Sequence, residues 1–183
     1  MPLYLLSWKI APAIAYGNTC VAKPSEVTSL TAFRLAELMA EAKLPAGVVN
    51  IVFGDGPNAG EPLVLNEKVE LVSFTGSTKI GSRIMEITAS QVKKLSLELG
   101  GKNPAVVFDD CDLDSAVAGC VRSAFTNQGE VCLCTERTFV HESIFDQFLS
   151  KFIDEAKKWK VGPPRDSTTR VGAMVSQVHY NKV

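Results

Sequence analysis

The sequence is poor in the residues that most often hold metal ions and has no excess of charge of either sign. Its 183 residues include two histidines and five cysteines, and no two cysteines have the CxxC spacing common at metal and thiol-redox sites. The 19 basic and 20 acidic residues give a net charge of −1, which disfavours an interface with nucleic acid or an anionic membrane surface. We therefore expect no metal site and no nucleic-acid partner.

Long apolar runs are also missing. The apolar stretch at residues 1–6 is too short to span a membrane and lacks the basic start of a secretory signal. The odd number of cysteines argues against a disulfide framework and for a reducing compartment. The sequence therefore predicts a cytoplasmic protein with no membrane partner.

Apolar periodicity predicts strands alternating with helices. The predicted strands cover residues 18–23, 48–53, 71–75, 93–99, 105–108 and 138–141, and the predicted helices cover residues 28–43, 61–66, 77–90, 113–125 and 144–159. This alternation indicates βαβ units and a parallel sheet in an α/β fold. The pair Gly100-Gly101 is the best candidate for a domain boundary.

Two glycine-rich turns each follow a predicted strand and precede a predicted helix. Gly54, Gly56 and Gly60 have GxGxxxG spacing, which approximates the fingerprint whose glycines let the backbone approach a pyrophosphate. Gly76 and Ser77 begin a helix whose free N–H groups could hold a phosphate. Either turn alone is equally consistent with a plain loop, but two in successive βα units favour a nucleotide site.

Lys23 and Glu26 close another predicted strand at its carboxyl end, the edge where open α/β sheets bind ligands. A carboxylate there could accept hydrogen bonds from ribose hydroxyls and would repel an additional 2′-phosphate. The alternative is that the segment is only a turn before the next helix.

Two residues are candidates for covalent chemistry and its proton transfers. Cys132 lies with Cys134 in a loop of small and polar residues, and a thiol there is a candidate nucleophile if its pKa is lowered. Glu98 is the one acid in an otherwise apolar strand, where burial would bring its pKa towards that of a general base. The alternatives are small packing cysteines and a salt-bridged structural glutamate. A Cys–His pair is poorly supported, because His141 begins a helix-capping turn.

Together these segments resemble the NAD(P)-dependent aldehyde dehydrogenase superfamily. Residues 97–104 (LELGGKNP) and 127–132 (NQGEVC) have the form and order of its glutamate and cysteine signatures. Further matches are WKIAPA at 8–13, GNT at 17–19, KPSE at 23–26 and FTGST at 74–78. The resemblance covers practically the whole chain. Residues 131–135 and 158–162 resemble the 2-aminomuconic semialdehyde dehydrogenase branch.

The resemblance implies an NAD-dependent oxidation of an aldehyde to a carboxylic acid. Cys132 matches the nucleophile, which forms a thiohemiacetal and then a thioester, and Glu98 matches the general base that activates water. Lys23 and Glu26 match residues that hold the adenosine ribose, and Glu26 favours NAD over NADP. A small aldehyde is the implied substrate, and the full-length enzyme is expected to be a homo-oligomer.

The same resemblance gives roles to the glycine-rich turns. Gly76 and Ser77 match the turn near the cofactor phosphates. Gly56 and Gly60 match a loop beside the adenine, and Gly100 matches a turn near the nicotinamide where a side chain would obstruct the cofactor. Residues 1–100 are accordingly expected to be a partial NAD-binding domain with a Rossmann-like parallel sheet. Residues 101–183 are expected to be the start of a second, catalytic α/β domain.

The sequence also departs from the family pattern. Glu130-Val131 stands where Gln-Cys is usual before the nucleophile. A Pro-Trp-Asn stretch, expected just before the segment matching residues 2–3, is not in this chain. Its Asn supplies half of the oxyanion hole, and loss of one such donor typically lowers the rate by about 10²–10³. A later Glu-x-Phe-Gly-Pro motif is also not in the chain.

These departures predict that the chain is a central fragment of an enzyme. The competing hypothesis is a catalytically incompetent remnant that binds only nucleotide or partner subunits. A metal protein built on Cys132, Cys134 and His141 is the least favoured alternative.

Overall fold

A computed structural model describes all residues from Met1 to Val183. The chain divides into two compact units, Met1–Gly100 and Gly101–Val183, which are described separately below. None of the helices combines the length and the apolar content needed to cross a lipid bilayer.

The first unit contains two parallel strand pairs, each joined by a helix. Strand β1 pairs in parallel with β2, and helix α2 connects them in sequence. Strand β3 pairs in parallel with β4, and α4 connects them, so both pairs are βαβ units. The elements are α1 (Pro2–Ala15), β1 (Cys20–Ala22), α2 (Leu30–Glu41), β2 (Val49–Ile51), α3 (Glu61–Leu65), β3 (Leu71–Thr75), α4 (Thr78–Thr88) and β4 (Lys94–Glu98).

The second unit repeats the same plan once. Strand β5 pairs in parallel with β6, and α5 connects them. The elements are β5 (Pro104–Val107), α5 (Leu113–Phe125), β6 (Arg137–Val140), α6 (Phe145–Lys157) and α7 (Gln177–Lys182). The predicted α/β class with parallel strands is therefore confirmed in both units. The strands form three separate two-stranded sheets, whereas the sequence analysis expected one continuous nucleotide-binding sheet.

The apolar core of the second unit lies where α5 and α6 pack beside β5. Val121 is fully buried there, in contact with a small set of residues from all three elements. The other buried members are Val107, Val117, Cys120 and Phe148. The buried side chains of α5 recur at three- and four-residue intervals, which is the spacing of one helix face.

The predicted elements agree with the observed ones except at the two ends of the chain, where α1 and α7 were not predicted. Helix α1 covers residues that the sequence analysis treated only as a short apolar run. Pro2 occupies the first turn, where its missing N–H is not needed, and Ile10 is buried. The aromatic rings of Tyr4 and Trp8, four residues apart, pack 4.2 Å from each other between centroids.

Candidate active site

The predicted phosphate turn and the predicted general base lie at one edge of the β3–β4 pair. Thr75, the last residue of β3, is the register partner of Glu98, the last residue of β4. The Gly76 N–H donates to the Glu98 carbonyl oxygen at 3.0 Å. The carboxyl ends of parallel strands are where α/β sheets bind ligands, so the strand register itself places the two features together.

The turn after β3 is closed by a helix cap and a close packing contact. The Ser77 hydroxyl accepts from the Ile80 N–H at 3.3 Å and so caps α4. A Cβ on Gly76 would come within 2.5 Å of the Phe74 ring. Glycine is therefore needed for the Phe74 ring to fold over the turn. The first N–H groups of α4 have no intrahelical partner and are available to an anion.

Lys23 and the first glycine-rich turn are brought together after β1 and β2. The Lys23 ammonium donates to the carbonyls of Pro24 at 2.7 Å and Gly54 at 3.1 Å. Its Cε lies 3.4 Å from where a Cβ on Gly60 would be. The lysine is thus tethered across the turn that contains Gly56 and Gly60.

A carboxylate closes that same turn from within. Asp55 accepts from the Asn58 N–H and from the Asn58 side-chain amide, both at 2.8 Å. These bonds favour the ionised form and lower the pKa of Asp55 below its usual value. Glu26 lies apart from this cluster, exposed at the start of the short 3₁₀ turn Glu26–Thr28.

Glu98 is exposed in this chain, so the burial expected from its apolar strand is wrong. Side chains alternate along β4, and Lys94, Ser96 and Glu98 share the open face while the leucines between them are half-buried. The charge of Glu98 acts on Lys9 of α1, which donates to the Ser73 hydroxyl at 2.9 Å. Burial lowers the pKa of Lys9, and attraction to Glu98 partly opposes that shift.

The loop that carries the predicted nucleophile presents one cysteine and hides the other. Cys132 is exposed, whereas Cys134 is only 5% exposed and its thiol donates to the Thr126 carbonyl at 3.6 Å. Desolvation raises the pKa of Cys20 and of Cys120, which favours the unreactive thiol form at these positions. Cys132 is the only exposed cysteine in the chain.

Asn103 fixes the loop from the start of the second unit. Its side-chain amide donates to the Cys134 carbonyl at 3.0 Å and also contacts the Cys132 carbonyl. Its own carbonyl accepts from the N–H groups of Glu136 and Arg137 at 3.0 and 3.2 Å. One residue therefore holds the backbone of the cysteine pair and of the segment that follows it.

The turn before Cys132 has a left-handed backbone conformation that must be stabilised by contacts with surrounding residues. Asn127 and Gln128 have φ values of 52° and 59°, and Gly129 follows at 77°. Residues other than glycine adopt this left-handed region only at a cost, when surrounding contacts require it. Here the Asn127 amide donates to the Glu130 carbonyl at 3.1 Å, and the Gln128 amide donates to the Ala173 carbonyl at 3.0 Å.

Two open cavities lie elsewhere. One, of about 410 Å³, is lined by β5 and α5, and another, of about 340 Å³, lies between α2 and β2. Neither is lined by Cys132 or Glu98. No group of three or more His, Cys, Asp or Glu side chains is placed to hold a metal ion. His141 caps a short turn by accepting from the Ser143 N–H at 3.3 Å, as predicted.

Three residues of the site region were missed by the sequence analysis. Asn103 lies inside a signature that the analysis quoted, but no pattern indicated that its amide would reach the cysteine loop. Lys9 likewise lies in a matching segment, and nothing there indicated its bond to Ser73. His179, 47 residues beyond Cys132, contacts the carboxylate of Glu130. Sequence spacing carries no signal for such long-range contacts.

The comparisons with known proteins identify the family of the chain. The sequence model described as the aldehyde dehydrogenase family matches residues 1–183. The chain is 56% identical over 183 residues to the 2-aminomuconic semialdehyde dehydrogenase of Homo sapiens, covering all of this chain and 38% of that protein. It is 47% identical over 184 residues to a 2-aminomuconic 6-semialdehyde dehydrogenase of Pseudomonas sp., again covering 100% and 38%.

A solved structure extends the similarity to three dimensions. Betaine aldehyde dehydrogenase from Staphylococcus aureus, in complex with NAD⁺, superposes with a TM-score of 0.94 at 43% identity, over 99% of this chain and 36% of that one. The chain thus spans just over a third of the length of the relatives it matches. Because the family match runs through both units and includes every segment described above, the chain belongs to the aldehyde dehydrogenase family.

Proposed function

We propose that this chain provides the nucleotide-binding and nucleophile-bearing segments of an NAD-dependent aldehyde dehydrogenase. In this proposal residues 1–100 are part of the NAD-binding domain and residues 101–183 are part of the catalytic domain. The observation that carries the proposal is that Cys132 is the only exposed cysteine, because a nucleophile must reach its substrate. The five free cysteines support a cytoplasmic location, and the full-length protein is proposed to form a homo-oligomer.

The residues after β1, β2 and β3 fit a dinucleotide. Lys23 and Glu26 supply a cation and a carboxylate for the adenosine ribose, and Gly56 and Gly60 leave a turn without side chains beside the adenine. Support comes from the Lys23 ammonium, which is held at that turn by two backbone carbonyls.

The phosphates and the nicotinamide would be held by a second group of residues. Gly76 and Ser77 open α4, whose free N–H groups suit the phosphates. Gly100 leaves room for the nicotinamide, since nothing lies within 4 Å of where its Cβ would be. NAD⁺, when bound, supplies the acceptor for a hydride ion.

Cys132 and Glu98 divide the chemistry between them. The Cys132 thiolate attacks the aldehyde carbon and forms a tetrahedral thiohemiacetal, from which the hydride departs. The product is a thioester on Cys132. Glu98 then takes a proton from water, whose oxygen attacks the thioester carbon and releases the carboxylic acid and the free thiolate. The exposure of the Glu98 carboxylate leaves it accessible to that water.

The proposed substrate is a small semialdehyde of the 2-aminomuconic type. Support comes from sequence similarity, since the human 2-aminomuconic semialdehyde dehydrogenase is 56% identical to this chain. The experiment below distinguishes this catalytic function from a competing one, nucleotide binding without turnover.

The test follows NADH absorbance after the purified full-length protein that contains this chain is mixed with NAD⁺ and a small semialdehyde. We expect a burst of NADH and an acyl adduct whose mass maps to Cys132. Cys132→Ser should abolish both, while the matched variant Cys134→Ser, which changes the buried thiol, should retain the burst. Binding of NAD⁺ without NADH or adduct would support the non-catalytic alternative. Absence of NAD⁺ binding would contradict both.

A further inference from the structure

A charged contact joins the nucleophile loop to the end of the chain. Glu130, two residues before Cys132, contacts the Nε2 atom of His179 through its Oε1 atom. The Glu130 and His179 side chains are 32% and 35% exposed, so the pair is partly shielded from water. No other cationic side chain pairs with Glu130 in this structure.

His179 is itself fixed in place. Its backbone N–H donates to the Ser176 hydroxyl at 3.1 Å, which caps α7. A second bond between the same two segments joins the Gln128 amide to the Ala173 carbonyl at 3.0 Å. The left-handed turn before Cys132 is therefore attached to the segment 173–179 at two points.

The charge on Glu130 matters for the thiol that follows it. A carboxylate close to a cysteine disfavours the thiolate, which is the nucleophilic form, because the two negative charges repel each other. A protonated imidazole in contact with the carboxylate cancels most of that field. The structure thus pairs an unfavourable charge near Cys132 with a group able to neutralise it.

We propose that His179 is a positioning and charge-compensating residue for Cys132, acting through Glu130. The inference rests on the proposed function, in which Cys132 is the nucleophile. Its test, however, measures thiol reactivity alone, so failure of turnover and failure of this pair are separately visible.

The experiment compares four forms of the whole chain: native, His179→Gln, Glu130→Gln and the double variant. Each reacts with 2,2′-dithiodipyridine at about pH 6, and peptide mapping reports the rate at Cys132. In His179→Gln we expect the rate to fall about two- to tenfold, the effect of one uncompensated negative charge two residues before the thiol. The double variant should return close to the native rate, because it lacks the carboxylate.

Two results would overturn the proposal. One is a native rate in His179→Gln. The other is a double variant as slow as His179→Gln, because the loss would then come from disturbed packing of α7. The buried Cys134 is the internal control: its continued protection shows that the loop remains folded in every variant. A native chain in which Cys132 is not labelled would instead count against the proposed function.

Discussion

The phosphate turn and the nucleophile loop both follow an element of a βαβ unit, but they are held in different ways. The turn at Gly76 and Ser77 is fixed by its neighbours in sequence: the end of β3, the Phe74 ring and the cap of α4. The loop before Cys134 is fixed by distant residues, through Asn103 on one side and the segment 173–179 on the other. The conformation of the turn at Gly76 and Ser77 is thus set by local contacts. The conformation of the loop that contains Cys132 depends on contacts between side chains up to 49 residues apart.

This difference has an energetic consequence. Removing the Ser77 cap affects one helix end, which can fray without moving β3. Removing a long-range donor to the loop at residues 127–134 leaves polar backbone groups without hydrogen-bond partners. It also removes a contact that stabilises the strained turn. We therefore expect the loop to respond more strongly than the turn to single substitutions.

The largest effect is expected from Asn103→Asp. Aspartate has the shape of asparagine but replaces the amide donor with a carboxylate, which repels the carbonyls of Cys132 and Cys134. Loss of these bonds should cost about 1–3 kcal/mol. Alkylation of Cys134 should then rise about 10- to 100-fold, as measured by mass spectrometry of the labelled peptide.

The matched control is Asn50→Asp in the first unit. Asn50 is exposed, and its amide donates to the Gly47 carbonyl at 3.0 Å, so it tests the same chemical change away from the loop. Cys134 should remain protected there. Equal exposure of Cys134 in both variants would contradict the role given to Asn103.

A smaller effect is expected from Gly129→Ala. Gly129 has φ of 77°, and a Cβ would lie 3.1 Å from the Ala124 carbonyl oxygen. Alanine in this region should reduce the free energy of unfolding of the second unit by about 1–2 kcal/mol, measured by urea denaturation. Gly119→Ala, inside α5 where a Cβ meets nothing within 4 Å, should instead stabilise by about 0.5–1 kcal/mol.

Loss of the helix cap at the phosphate turn should be smaller again. Ser77→Ala should lower the free energy of unfolding by about 1 kcal/mol and leave the labelling of Cys132 and Cys134 unchanged. Ser90→Ala removes a hydroxyl from an exposed position beyond α4 and should have no measurable effect. A change in cysteine labelling in Ser77→Ala would contradict the independence of the two segments.

The contrast between the segments also explains how much could be predicted from sequence. Residues 71–75 and 113–125 were predicted with the bounds that the structure has, because alternation and helical periodicity are local. The positions of Gly76 and Ser77 followed directly from the predicted end of the strand at Thr75. The partners of the nucleophile loop did not follow, because no pattern in the sequence pairs Asn103 or His179 with it.

Exposure was the other property that local patterns could not supply. Glu98 was expected to be buried because leucines flank it in β4. Alternation along the strand instead puts its side chain on the open face with Lys94 and Ser96. The strand was predicted correctly, but which face is covered depends on packing partners far away in the sequence.

The smallest effect is expected from a change of pH on the glycine-rich turn that contains Asp55 and Asn58. The bonds from Asn58 lower the pKa of Asp55 in the folded chain, so their contribution is present above the unfolded value and is lost as the pH falls below it. The protection factor of the Asn58 amide, which compares its exchange rate with that of an unstructured amide at the same pH, should fall on acidification below about pH 4. Asp55→Asn should remove that dependence, and an unchanged dependence would assign it to another group. The Asn103 contacts contain no titrating group and should not change.

The most direct test of this account compares Cys132 and Cys134 within one native molecule. Site-resolved alkylation measures both rates under the same conditions, with unfolded chain as the reference for two equally accessible thiols. The account predicts that Cys132 reacts about 100-fold faster than Cys134, because one thiol is exposed and the other is buried and hydrogen-bonded. Comparable rates, or faster reaction at Cys134, would contradict the claim that the loop presents Cys132 as the nucleophile.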